Sequence, residues 1–137
     1  MAVRPLILDS EAVSALAHGP VSRRRVVTAA LTAARREGAE VVVSAAVLAE
    51  LYRGPRFDAA VDSALARDVL LVRDVTRRVA RIAGSLLARA RMDSAHAIDA
   101  FVVSVAYEIG GGVILTGDAD DLVRLAGAHP SIDVASI

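Results

Sequence analysis

The chain alternates short apolar runs with longer amphipathic segments, and that alternation narrows the folds open to it. Val3–Leu8, Val41–Val43, Val69–Val72, Val113–Leu115 and Ile132–Val134 are brief and mostly β-branched, which predicts strands, the first two of them buried. Between them, apolar residues recur at helical spacing. The predicted helices are Ser10–His18, Ser22–Arg36, Ala45–Arg53, Phe57–Arg67, Asp74–Arg91, Ser94–Ile109 and Asp118–Ala126. Ser10, Ser22 and Ser44 are expected to open helices, and Gly19-Pro20, Gly38, Gly54-Pro55 and Gly110-Gly111-Gly112 to end them. Strands that alternate with helices form a parallel sheet with helices on both faces. The expected fold is therefore α/β, a three-layer α/β/α sandwich around a short parallel sheet.

A length of 137 residues suits a single domain, expected to span 1–137. Hydrophobic residues make up 55% and charged ones 23%, which excludes intrinsic disorder. No apolar stretch approaches the roughly 20 residues of a membrane span. The apolar segment Pro5-Leu6-Ile7-Leu8 is cut short by Asp9, so no signal peptide is expected. The expected location is cytoplasmic, with no membrane partner.

Several chemistries are excluded by missing side chains. Without cysteine there is no disulfide framework, cysteine-ligated zinc, iron–sulfur cluster or thiol nucleophile. Every basic residue is Arg, so a Walker A lysine and a Schiff-base lysine are both absent. A phosphotransfer domain with Asp9 as nucleophile loses weight for the same reason. Sixteen basic and sixteen acidic residues balance, so nucleic acid would have to be met by local arginine patches.

The acids carry the argument. In parallel α/β sheets ligands lie beyond the carboxyl ends of the strands. Asp9 ends the first strand there. Thr116-Gly117-Asp118-Ala119-Asp120-Asp121 follows the strand Val113–Leu115 at the same rim. Asp118 and Asp121 are three apart and share a helix face, though both also suit a helix start. Glu50 is the single charge in Ser44–Leu51, and Asp99 lies in the very apolar Ala97–Val103. A carboxylate buried among apolar residues needs a partner or a task. Carboxylates converging on one edge repel unless a cation joins them, and an oxygen-only set suits Mg²⁺ or Mn²⁺. Such a centre serves phosphodiester hydrolysis.

Leu6-Ile7-Leu8-Asp9-Ser10, Val47-Leu48-Ala49-Glu50-Leu51 with Arg53-Gly54, Asp99-Ala100 and Thr116-Gly117-Asp118-Ala119-Asp120-Asp121-Leu122 together resemble the PIN-domain nucleases. Order and spacing match over almost the whole chain, and the size is similar to that of VapC-type toxins of bacterial toxin–antitoxin pairs. The resemblance implies a PIN-like fold and a Mg²⁺- or Mn²⁺-dependent endoribonuclease. It implies metal binding by Asp9, Asp99 and Asp118, with Asp121 directly or through water, and Glu50 completing the catalytic set. It also implies an RNA substrate, a small cognate antitoxin and a homodimer.

Arg53 and Arg56 follow Glu50 closely and are the candidate grips on substrate phosphates, with Thr116 as a further candidate. Arg23-Arg24-Arg25 and Arg35-Arg36 are alternatives, while Arg77 and Arg78 are expected to pair with nearby acids on a solvated face. His96 precedes Asp99 by three residues and is a candidate partner for it. The rival to an enzyme is a non-catalytic protein- or RNA-binding module on the same fold.

Overall fold

The computed structural model describes residues 3–137; Met1 and Ala2, part of the expected domain, lie outside the described residues. Five parallel strands form the sheet: β1 (Leu6–Leu8), β2 (Val41–Ser44), β3 (Leu71–Arg73), β4 (Gly112–Thr116) and β5 (Ile132–Ser136), in the order β3-β2-β1-β4-β5. The expected α/β sandwich is the fold observed. β1, β2 and the inner residues of β4 are buried, as their continuous apolar runs dictate.

The helices are α1 (Ser10–His18), α2 (Val21–Arg36), α3 (Ala45–Leu51), α4 (Pro55–Arg67), α5 (Arg77–Ala90), α6 (Ala97–Ile109) and α7 (Ala119–Ala126), with a 3-10 turn at Ser94–His96. Right-handed crossovers put α1, α2 and α4 on one face and α5, α6 and α7 on the other. The packing agrees: α1 meets α2 and α4, and α6 meets α5 and α7. α6 lies over β1, β2 and β4 and buries Ala100, Val102, Val103 and Ala106 completely. Ile7, Leu8, Val43 and Ile114 are each sealed from solvent, with Ile7 and Ile114 on one face of the sheet and Leu8 and Val43 on the other. Burial of each large side chain stabilises the domain by about 1.5–3 kcal/mol.

Element boundaries differ from expectation in instructive ways. Asp9, not Ser10, caps α1. α2 starts at Val21, one residue before Ser22, because Pro20 presets its entry. α3 stops at Leu51, two residues short of Arg53. β3 begins at Leu71 rather than Val69, since Val69 adopts a left-handed φ of 49° and closes α4 where glycine is usual. Thr76, not Asp74, opens α5 by accepting a hydrogen bond from the Val79 N–H. Arg77 and Arg78 are exposed, but no ion pair joins them to an acid among the described residues.

The topology sets the site. From β1 the chain winds outward through β2 and β3, then returns to place β4 on the other flank of β1. The crevice beyond the carboxyl ends of β1 and β4 is thus the switch point, the place where such sheets take ligands.

Candidate active site

Asp9 is the first residue past β1 and is only 4% exposed. Its backbone N–H continues the ladder by donating to the Leu115 carbonyl at 3.2 Å, which fixes its position. Its Oδ1 accepts from the Ala12 N–H at 2.9 Å, and its Oδ2 accepts from the Thr116 hydroxyl at 2.5 Å. The fully buried Thr116 hydroxyl accepts in turn from the Asp118 N–H at 2.9 Å. Burial pushes the Asp9 carboxyl above its usual range, while Thr116 and the N–H groups of Ala12, Gly117 and Glu11 pull it back down. Asp9 is therefore held in one orientation by donors from two elements.

Asp99 reaches the same place from the first turn of α6. Its carboxyl is pushed up to about 6. Loss of solvent is the largest cause, followed by repulsion from Asp121, Asp9 and Glu50, with His96 acting in the opposite direction. The repulsion identifies the neighbours: four carboxylates from α1's cap, α3, α6 and α7 converge on one edge. Asp99, Asp121 and His96 each offer a ligand atom, all within 4.8 Å of one another. His96 Nδ1 lies 3.4 Å from Asp121 Oδ2. His96 arrives there because the 3-10 turn, capped by Asp93, leads directly into α6.

The other candidates sit less centrally. Glu50 is exposed on α3, at the mouth of the crevice. Asp118 occupies the cap position of α7, yet its side chain makes no capping bond; its backbone N–H bonds to Thr116 instead, and the carboxylate faces solvent. Asp121 is half-buried one turn further on.

The candidate arginines occupy different settings. The Arg53 guanidinium folds back onto the end of α3 and donates to the carbonyls of Ala49 and Tyr52 at 2.9 and 3.1 Å. Arg56 is exposed in the first turn of α4, and no ion pair joins it to a carboxylate among the described residues. The basic group at the rim is Arg23 of α2, 3.3 Å from Glu11 Oε2. A Cβ built on Gly117 would fall 1.6 Å from that same Glu11 oxygen and 3.0 Å from the Arg23 guanidinium, so the pair lies directly over the Thr116–Asp118 loop. A groove of about 470 Å³ opens beside it, bordered by Ser10, Ser14, His18, Arg23 and Glu50. Arg23 belongs to the Arg23-Arg24-Arg25 cluster named among the sequence candidates, while Glu11 carried no distinguishing signal; the packing of α1 on α2 joins the two.

Carboxylate oxygens dominate this donor set, and their mutual repulsion is what a divalent cation relieves. The residues therefore fit a divalent cation, for which Asp99, Asp121 and His96 each offer a ligand atom.

A parallel α/β domain with clustered acids at its switch point is an arrangement that can hold a divalent metal ion beside a ligand crevice. The profile of the PIN domain family matches residues 6–128, and the chain belongs to that family. PIN domains are nuclease folds that generally depend on divalent metal and bind nucleic acid. Among curated proteins, none matches the chain.

Proposed function

We propose that the chain is a Mg²⁺- or Mn²⁺-dependent endoribonuclease and the toxin of a toxin–antitoxin pair. The observation that carries this reading is the gathering of Asp99, Asp121 and His96 at the sheet's switch point, their ligand atoms within 4.8 Å of one another, where burial first and neighbouring carboxylates second lift Asp99 to about 6. An acid cluster that raises its own energy is costly to a small domain unless it has a task.

Asp99 and Asp121 form the centre of the proposed site, with His96 in reach and Asp9 fixed behind them by Thr116. Asp118 stands at the rim with a solvent-facing carboxylate, available to a hydrated ion. A bound divalent ion supplies Lewis acidity and an activated water. Glu50 stands at the groove mouth, where its carboxylate can orient that water or take up its proton. Hydrolysis there would join a water oxygen to phosphorus and break one ester P–O bond, the water's proton passing to Glu50 and the departing oxygen taking a proton to leave as a hydroxyl.

The toxin reading also proposes a small antitoxin, a homodimer and a cytoplasmic site of action. Exposed apolar residues along the β3 edge, Val69, Leu71, Val72 and Val75, support a protein partner. No helix among the described residues is long and apolar enough to cross a membrane. Induced expression is the test: growth should stop with the natural sequence and continue with Asp99→Asn. Equal arrest by both would overturn the nuclease-toxin reading.

A further inference from the structure

We infer that Arg23 is the phosphate-binding residue of the groove beside the acid cluster, and that Glu11 holds it in place until a single-stranded RNA phosphate replaces that carboxylate. The inference rests on the nuclease reading and assigns its substrate contact.

Three observations converge on Arg23. It is the basic side chain that lies against the Thr116–Asp118 loop, since its guanidinium is 3.0 Å from a Cβ built on Gly117. It also borders the groove that runs from Ser10 and Glu50 to His18. Its pairing with Glu11 is loose, at 3.3 Å with both side chains 45% exposed. Exposed pairs of this kind give way readily to a better partner.

The chemistry selects the ligand. A cluster of acids repels a polyanion, so a substrate strand needs a cation next to the metal site. A guanidinium matches a phosphate's oxygens with two parallel donors. Glu11 offers Arg23 a carboxylate with the same acceptor pattern, so it occupies the place of a phosphate. Ser10, Ser14 and His18 line the remaining wall with groups that hydrogen-bond ribose or phosphate oxygens. A groove of about 470 Å³ has room for a short stretch of one strand.

The test uses the whole protein with Mn²⁺ and a fluorescent single-stranded RNA oligonucleotide. Binding is read by anisotropy across a salt series, and cleavage is followed in parallel. Arg23→Ala should weaken binding about tenfold and lower the salt slope by about 0.7, the share of one phosphate on a single strand. Glu11→Gln should tighten binding about two- to threefold, because Arg23 is released. The double variant should match Arg23→Ala alone, since Glu11 acts only through Arg23. Arg81→Ala on α5 removes a charge outside the groove and should leave binding unchanged. Circular dichroism checks that each variant is folded.

If the unaltered protein cuts RNA while Arg23→Ala keeps its affinity and salt slope, the inference falls and the nuclease reading stands. If the unaltered protein neither binds nor cuts RNA, both fall together. Equal weakening by Arg81→Ala would also overturn it, because the effect would then be net charge alone.

Discussion

Thr116 and Asp9 stand 107 residues apart in sequence, yet the Thr116 hydroxyl donates to Asp9 Oδ2 at 2.5 Å in the buried floor of the crevice. This bond joins the ends of β4 and β1 across the switch point. Replacing Thr116 with Val keeps the shape and removes the donor. It leaves Asp9 short of one hydrogen bond and the Asp118 N–H without its acceptor. Stability should fall by about 1–3 kcal/mol in urea unfolding. Thr116→Ser should recover most of that loss, and equal stability of the Val variant would show that the bond contributes little.

Asp99→Asn should have opposite effects with and without metal. In metal-free protein it removes the carboxylate that its neighbours repel most, so the melting temperature should rise by a few degrees. Added Mn²⁺ should raise the melting temperature of the natural sequence and have much less effect on the variant. Differential scanning fluorimetry reads both. A variant that is less stable without metal would mean that Asp99 is a structural acid.

The same group sets a pH dependence. Its folded-state value of about 6 lies above the ordinary 3.8, so between those values the native protein holds a proton that the unfolded chain has released. The Asp99 contribution to metal-free stability is therefore most favourable below about pH 4 and is lost as pH rises through about 6. Metal reverses the trend, because it displaces that proton. The gain in melting temperature from Mn²⁺ should grow between about pH 5 and pH 7. A constant gain over that range would place the metal elsewhere.

Gly117→Ala should disturb the rim and spare the fold. The new Cβ would meet the Glu11 carboxylate at 1.6 Å, and Glu11 must swing away from Arg23. The displaced group is the end of an exposed, flexible side chain, so the cost should stay within about 1 kcal/mol. Thermal unfolding checks this. A loss several times larger would mean that the Glu11–Arg23 pair supports the loop itself.

Much of this was legible in the sequence, for definite reasons. Asp9 shows itself because an acidic residue ends a run of four apolar ones, and Asp99 because it is the single charge in the apolar stretch Ala97–Val103. Both signals come from the cost of burying charge, which local sequence displays directly. The strand–helix alternation likewise reveals the parallel sheet. Which of the candidate arginines stands at the rim was not legible. Arg53 is close to Glu50 in sequence, yet its reach is spent on the carbonyls at the end of α3. Arg23 gains its position from the packing of α1 against α2, which no local pattern encodes. The start of β3 differs for a related reason: Val69 takes a left-handed conformation that its type disfavours, so the strand begins later than its apolar run.

The most direct measurement is RNA cleavage by the purified protein with Mg²⁺ or Mn²⁺, alongside EDTA and the Asp9→Asn and Asp99→Asn variants. The account expects cleavage that EDTA and each substitution abolish. Cleavage that continues undiminished in both variants would contradict it, because the catalytic centre would then lie outside the acids at the switch point.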